Sequence, residues 1–198
     1  GMSCLVHAAG GAVGTALLEL GRHMGLHMYG TASSAKHEVV RRFGAQPIDY
    51  RREDFERVIQ RETAGEGVDI VFDTIGGANW ARSYRCLKRG GLLVGFGALQ
   101  MTTGEEKLPS LLWGFARLMG LWKLRPDGRD STFYNIQTRR EKLPQEFRED
   151  VQALFTLLQE GVLQPAIAAT VSLQEVAAVH RRIDNAEIAG KVVVLCNT

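Results

Sequence analysis

Residues 8–14 read AAGGAVG. The apolar stretch SCLV comes before them. After them comes TALLELGRHMG, whose Ala16, Leu17, Leu20 and Met24 recur at helical spacing. Small residues between a strand and a helix suit one kind of chemistry. The backbone can come close to a ligand there, and the uncapped N–H groups of the new helix attract an anion. Ala9, Gly11 and Gly14 fall on the three small positions of a dinucleotide-binding turn. Ala9 takes the tight turn, Gly11 admits a pyrophosphate to the backbone, and Gly14 lets the helix pack on the strand. Glycines alone signal this weakly, and a turn without a ligand is the plainer alternative. The strand–turn–helix setting makes the signal specific.

Which dinucleotide would bind is a question for the end of the second strand. An acid there grips the ribose hydroxyls of NAD. Here the chain reads YGTASSAK, with Ser33, Ser34 and Lys36 in place of an acid. Small donors and a cation suit a 2′-phosphate, so NADP(H) is the expected cofactor. A solvated helix lysine is the alternative for Lys36.

Other groups invite a catalytic reading. Tyr84 and Lys88 have a Tyr-x-x-x-Lys spacing, in which lysine lowers the tyrosine pKa for acid–base work. They sit on a segment expected to face away from the cofactor. His7 is read as a hydrogen-bonded strand histidine. Asp73, after the apolar stretch it shares with Asp69, is read as fixing a turn or touching ribose. Cys4, Cys86 and Cys196 lack the spacing of a zinc site or disulfide framework. Cys4 and Cys196 lie in apolar runs and are expected to be buried, in a reducing, cytoplasmic setting.

These groups need a scaffold, and the sequence supplies a rhythm for one. Strand-like runs SCLVHAA, LHMYGTAS, AQPIDY, GVDIVFDTIG and LLVGFGA alternate with helical patterns. The helix SSAKHEVVRRFG has Ser33 or Ser34 as its cap and Gly44 as its stop. ANWARSYRCLKRGG reads as a helix closed at Gly90–Gly91. This alternation predicts an α/β fold: a doubly wound parallel sheet of about six strands, with helices on both faces. The unbroken apolar strands agree with burial on both sides. Residues 99–145 break the rhythm and read as an insertion of one helix and a loop. Its aromatics include Trp113, Phe115 and Trp122. It packs on the domain or a partner, lines a cleft or dimer contact, or lies along a membrane surface. QEFREDVQALFTLLQEG follows as a helix with Phe147, Val151, Leu154, Phe155 and Leu158 on its apolar face. SLQEVAAVHRRIDNAEIAG is a helix with Ser172 as cap and Glu175 placed for a capping box. KVVVLC is the last strand.

The 198 residues include 24 Lys and Arg against 22 Asp and Glu, a net charge of +2. That balance gives no general attraction to nucleic acid, and no nucleic-acid partner is expected. No apolar run of spanning length and no leader pattern is read, so membrane contact is not expected.

LVHAAGGAVG, GTASSAKHEVVRRFGAQPIDYRRED, GVDIVFDTIGG, LKRGGLLVGFGA and AGKVVVL together resemble the nucleotide-binding domain of the medium-chain dehydrogenase/reductases. The nearest branch is that of the zinc-independent quinone oxidoreductases and enoyl or alkenal reductases. The resemblance spans nearly the whole chain. It implies that Gly11, Ala12 and Val13, with Gly14 behind them, meet the pyrophosphate. It implies that Lys36 and Tyr50 hold the 2′-phosphate, with Ser33 as a third contact. Thr74, Ile75 and Gly76, and Phe96, Gly97 and Ala98, would lie along the ribose and nicotinamide. A half-buried strand-end aromatic is the alternative for Tyr50, and a turn residue for Thr74. The family's barrel-like substrate domain, which precedes the glycine turn and carries most catalytic residues, is not in this sequence. Residues 1–198 are therefore expected to be one dinucleotide-binding domain, with little turnover alone. The full-length protein would pass hydride from NADPH to a quinone or activated double bond. A homodimer joined through residues 191–196 is also implied. A short-chain-type reductase and a non-catalytic nucleotide-binding module remain the alternatives.

Overall fold

The computed structural model describes residues 1–97 and 108–196. Six strands form one sheet in the order β3-β2-β1-β4-β5-β6. They are β1 (Ser3–Val6), β2 (His27–Ala32), β3 (Ala45–Asp49), β4 (Val68–Asp73), β5 (Leu87–Gly95) and β6 (Asp130–Phe133). Every neighbouring pair is parallel. The chain winds outward from β1 to β3, then from β4 to β6 on the other side. The order reverses between β1 and β4, where a crevice opens beyond the carboxyl ends of the strands.

Alternate strand residues feed two cores. Cys4, Val6, Met28 and Ala32 face Leu18 of α1 (Ala12–His23) and Val40 of α2 (His37–Arg42). Leu5, Tyr29, Ile48, Val71 and Leu93 face Val58 and Ile59 of α3 (Phe55–Glu62) and Trp80 and Tyr84 of α4 (Ala78–Arg85). This two-sided burial explains why the strands read as continuous apolar runs.

Several boundaries differ from those expected. The helix α4 stops at Arg85, and β5 already begins at Leu87, so Lys88 and Gly90–Gly91 are strand residues. The segment expected as one helix and a loop supplies α5 (Leu108–Met119), a short 3-10 turn, the sixth strand β6 and α6 (Ile136–Lys142). Leu118 and Trp122 are buried in the core, while Trp113 and Met119 stay exposed. Part of the insertion therefore packs on the sheet. KVVVLC does not join the main sheet. As β8 (Lys191–Leu195) it pairs in parallel with β7 (Ile167–Ser172). Between them, a 3-10 turn capped by Ser172 and Glu175 leads into α8 (Val176–Asp184). Cys196, just past β8, is exposed rather than buried, because the apolar run before it is itself half open. The helix α7 (Pro144–Gln159) has no buried residue, and its Leu154, Phe155 and Leu158 are exposed.

Candidate functional site

The glycine turn lies where the sheet order reverses. The chain leaves β1, turns through Ala8 with φ +52°, and enters α1 with Gly11 as N-cap. No side chain caps α1, and no acid stands in its first turn, so its leading N–H groups face an anion-favouring field. A Cβ on Gly14 would sit 2.6 Å from the Ala9 Cα, so only glycine lets α1 start this close to the strand. Ala12 and Val13 are exposed on the opening turn.

A cleft of about 430 Å³ opens beside this turn. It gathers Gly11, Ser33, Lys36, Tyr50 and Ile75 from the expected set. Thr74, Gly76, Phe96 and Gly97 do not line it. They stand at the carboxyl ends of β4 and β5, where the Phe96 N–H donates to the Asp73 carbonyl at 3.0 Å. Ala98 lies outside the described residues. The Lys36 stem rests against Gly10. Burial pushes its ammonium below the ordinary value, and no carboxylate pairs with it among the described residues. An anion beside it would relieve that penalty. The other cation of the cleft, Arg82, is already engaged, with 2.6 Å bonds to both Asp54 and Glu56.

Sequence reasoning missed several lining residues: His7, Gly10, Thr31, Glu53, Asn79 and Ala186 among them. Thr31 follows from its place at the end of β2. Ala186 gives no local signal, because it arrives from the far end of the chain. Glu53 is an acid in the cleft, but its carboxylate accepts from the Asp49 N–H at 3.3 Å.

A buried polar chain runs behind the cleft. His7 Nδ1 lies 3.1 Å from Thr31 Oγ1, and Ser83 Oγ lies 3.0 Å from His7 Nε2. Ser83 donates its only hydroxyl proton to Asp73 Oδ2 at 2.6 Å. Ser83 must then accept from His7 Nε2–H. Burial pushes the His7 pKa down despite the nearby Asp73 and so favours the neutral ring, in which Nδ1 accepts from the Thr31 hydroxyl. Asp73 also accepts from the N–H groups of Ile75 and Gly76 and from Asn79 Nδ2. It fixes the turn after β4, one of the two roles read for it, and His7 is hydrogen-bonded as expected, but it lies in the turn just past β1 rather than on the strand.

Tyr84 and Lys88 stand apart from the cleft. The Tyr84 hydroxyl donates to Asp127, and Lys88 pairs with Asp69 at 2.5 Å. Burial pushes the Tyr84 phenol up to about 12, opposite to what a general acid–base tyrosine needs.

The six-stranded sheet, its order and the glycine turn at its switch point define a Rossmann-type nucleotide-binding fold. Residues 43–194 match the family model described as zinc-binding dehydrogenase, and the chain belongs to that family. It is 30% identical over 193 residues to a 2-haloacrylate reductase from a Burkholderia species, covering 96% of this chain and 54% of that protein. The solved Escherichia coli quinone oxidoreductase complexed with NADPH superposes with a TM-score of 0.79. It is 26% identical, covering 98% of this chain and 57% of that one. The CurK enoyl reductase structure gives a TM-score of 0.77 at 27% identity, covering 98% of this chain and 54% of that one. The chain spans about half the length of these relatives. Among the described residues, no group of three or more His, Cys, Asp or Glu side chains is placed to hold a metal ion, so they do not fit a zinc site.

Proposed function

We propose that this chain is the NADP(H)-binding part of an oxidoreductase, and that the whole protein reduces a quinone or an activated carbon–carbon double bond. One observation carries the reading. The uncapped start of α1 shares a cleft with Ser33, Lys36 and Tyr50, and β2 ends without an acid. The activities of its relatives agree with it: quinone oxidoreductase, 2-haloacrylate reductase and enoyl reductase.

In this reading Gly11, Ala12 and Val13 present N–H groups to the pyrophosphate, with Gly14 supporting them from behind. Lys36 holds the 2′-phosphate with Ser33 and Tyr50. Thr74, Ile75 and Gly76 flank the ribose, and Phe96, Gly97 and Ala98 continue toward the nicotinamide. The bound nicotinamide supplies the hydride. This chain's residues bind and orient it, and the acceptor site belongs to the part of the relatives' length that it does not span. Residues 1–198 form the nucleotide-binding domain, with residues 99–145 inserted. Pairing of two copies through residues 191–196 is supported by β8 having β7 as its single neighbour among the described residues. The two buried thiols suit a reducing cytoplasm, and no described helix is long and apolar enough to cross a membrane.

Titration with NADPH and NADH, for the chain and for Lys36→Ala, tests the cofactor assignment. NADPH is expected to bind about tenfold or more tighter, and Lys36→Ala is expected to remove that preference. Equal affinity for both cofactors in the unaltered chain would defeat the assignment.

A further inference from the structure

We infer that Asn79, in the first turn of α4, reads the amino group of the cofactor's adenine through its side-chain carbonyl and so selects the purine. The inference rests on the cofactor reading above. Asn79 lines the cleft and is half-buried. Its Nδ2 donates to Asp73 Oδ2 at 2.9 Å and lies 3.5 Å from Ser83 Oγ. These two neighbours fix which way the amide faces. Asp73 accepts from the Ile75 and Gly76 N–H groups and from the Ser83 hydroxyl, so the Ser83 proton is already directed at Asp73. An amide turned the other way would set its oxygen against two acceptors. Nδ2 therefore faces the buried polar chain, and Oδ1 is turned away from it, on the cleft side. No donor reaches Oδ1 among the described residues.

A carbonyl held in place without a donor is an acceptor aimed at a ligand N–H or O–H. Its polar neighbours in the cleft have partners. His7 and Thr31 bond each other, Arg82 bridges Asp54 and Glu56, and a Glu53 oxygen accepts from the Asp49 N–H. The purine hangs from the same ribose that carries the 2′-phosphate. With that phosphate on Lys36, the base lies in the same cleft, where Ala32, Phe55 and Ile75 give its faces an apolar wall. The ring nitrogens of adenine in the cofactor only accept, and its one donor is the exocyclic amino group. Oδ1 therefore pairs with that amino group. A purine with an oxo group in its place would set carbonyl against carbonyl and leave Asn79 unpaired.

The test titrates the 198-residue chain, Asn79→Ser and Asn79→Ala with NADPH and with its hypoxanthine analogue, in which an oxo group replaces the adenine amino group. The 2′-phosphate, pyrophosphate and nicotinamide are the same in both ligands. Serine keeps an O–H donor on the Asp73 side and removes the carbonyl. In either variant Asp73 keeps its three other donors, so the fold is expected to hold. The unaltered chain is expected to favour NADPH about five- to tenfold, and both variants to bring that ratio close to one by weakening NADPH. Equal affinities in the unaltered chain would overturn the inference and leave the cofactor reading intact. A preference that survives in the variants would also overturn it, since another acceptor, such as Glu53, would then read the base. Variants that lose both ligands would overturn it too, because Asn79 would then serve only to hold the turn at Asp73. An unaltered chain that binds neither ligand would overturn the inference and the cofactor reading together.

Discussion

Asp73 and His7 are titratable groups closed off from solvent, at 0% and 2% exposure, and each is satisfied by neighbours rather than by water. In the order Thr31, His7, Ser83, Asp73, loss of either interior member strands the two beside it. Ser83→Ala is expected to cost about 1–3 kcal/mol in urea unfolding, because both Asp73 and His7 Nε2–H lose a partner. The same network sets a pH dependence. The folded His7 pKa is depressed below 6.5, so the unfolded chain takes up its proton first as pH falls. Stability from this residue is complete above pH 6.5 and declines below it toward the folded pKa. Asp73 and Arg82 face the ring with opposite effects, and burial outweighs the Asp73 attraction. In His7→Gln, the loss of stability on going from about pH 7 to about pH 5 is expected to be smaller than in the unaltered chain, as thermal unfolding at stepped pH would reveal.

At the scale of elements, the site depends on how closely α1 starts against β1. Gly14→Ala places a Cβ against the Ala8–Ala9 backbone, which cannot give way as a side-chain tip would. The substitution is expected to destabilise the fold by about 1–3 kcal/mol and to weaken NADPH, since α1 must back away from the turn. Retention of both stability and affinity would mean that the close approach is not needed. The opposite face of the sheet shows a second dependence. Trp80 on α4 is fully buried, edge-on to Phe115 of α5 and Phe133 of β6. The insertion thereby anchors itself beneath the turn that Asp73 holds.

For the whole molecule, the uneven element is α7. Its Phe155 and Leu158 are 56% and 43% exposed, although their spacing marks a face meant for burial. Phe155→Glu and Leu158→Glu are expected to change the stability of this chain by no more than about 0.5 kcal/mol in chemical denaturation. A loss of several kcal/mol would show that the face is covered within the chain. The β7–β8 sheet is tied to the rest through Gly190, Lys191 and the contact between the Gln164 N–H and the buried Glu19 carboxylate. These ties join the first helix to the last strand, and they bring residues from both ends of the sequence to one cleft.

The residues by themselves determined the glycine turn, the succession of strands and helices, the parallel sheet and the cation at the end of β2. Each follows from local rules of apolar period, a glycine between strand and helix, and the absence of an acid. Tertiary structure alone decided the rest. DSTF at β6 has no apolar run, because an edge strand needs none. KVVVL has one, yet it pairs with β7, while β6 takes the place beside β5. Asp73, Ser83, His7 and Thr31 come from separate elements, as do Ala186, Lys191 and the glycine turn. Only a closed fold places such distant groups within hydrogen-bonding reach, since their pairing depends on packing along the whole chain and leaves no periodic trace in any one segment.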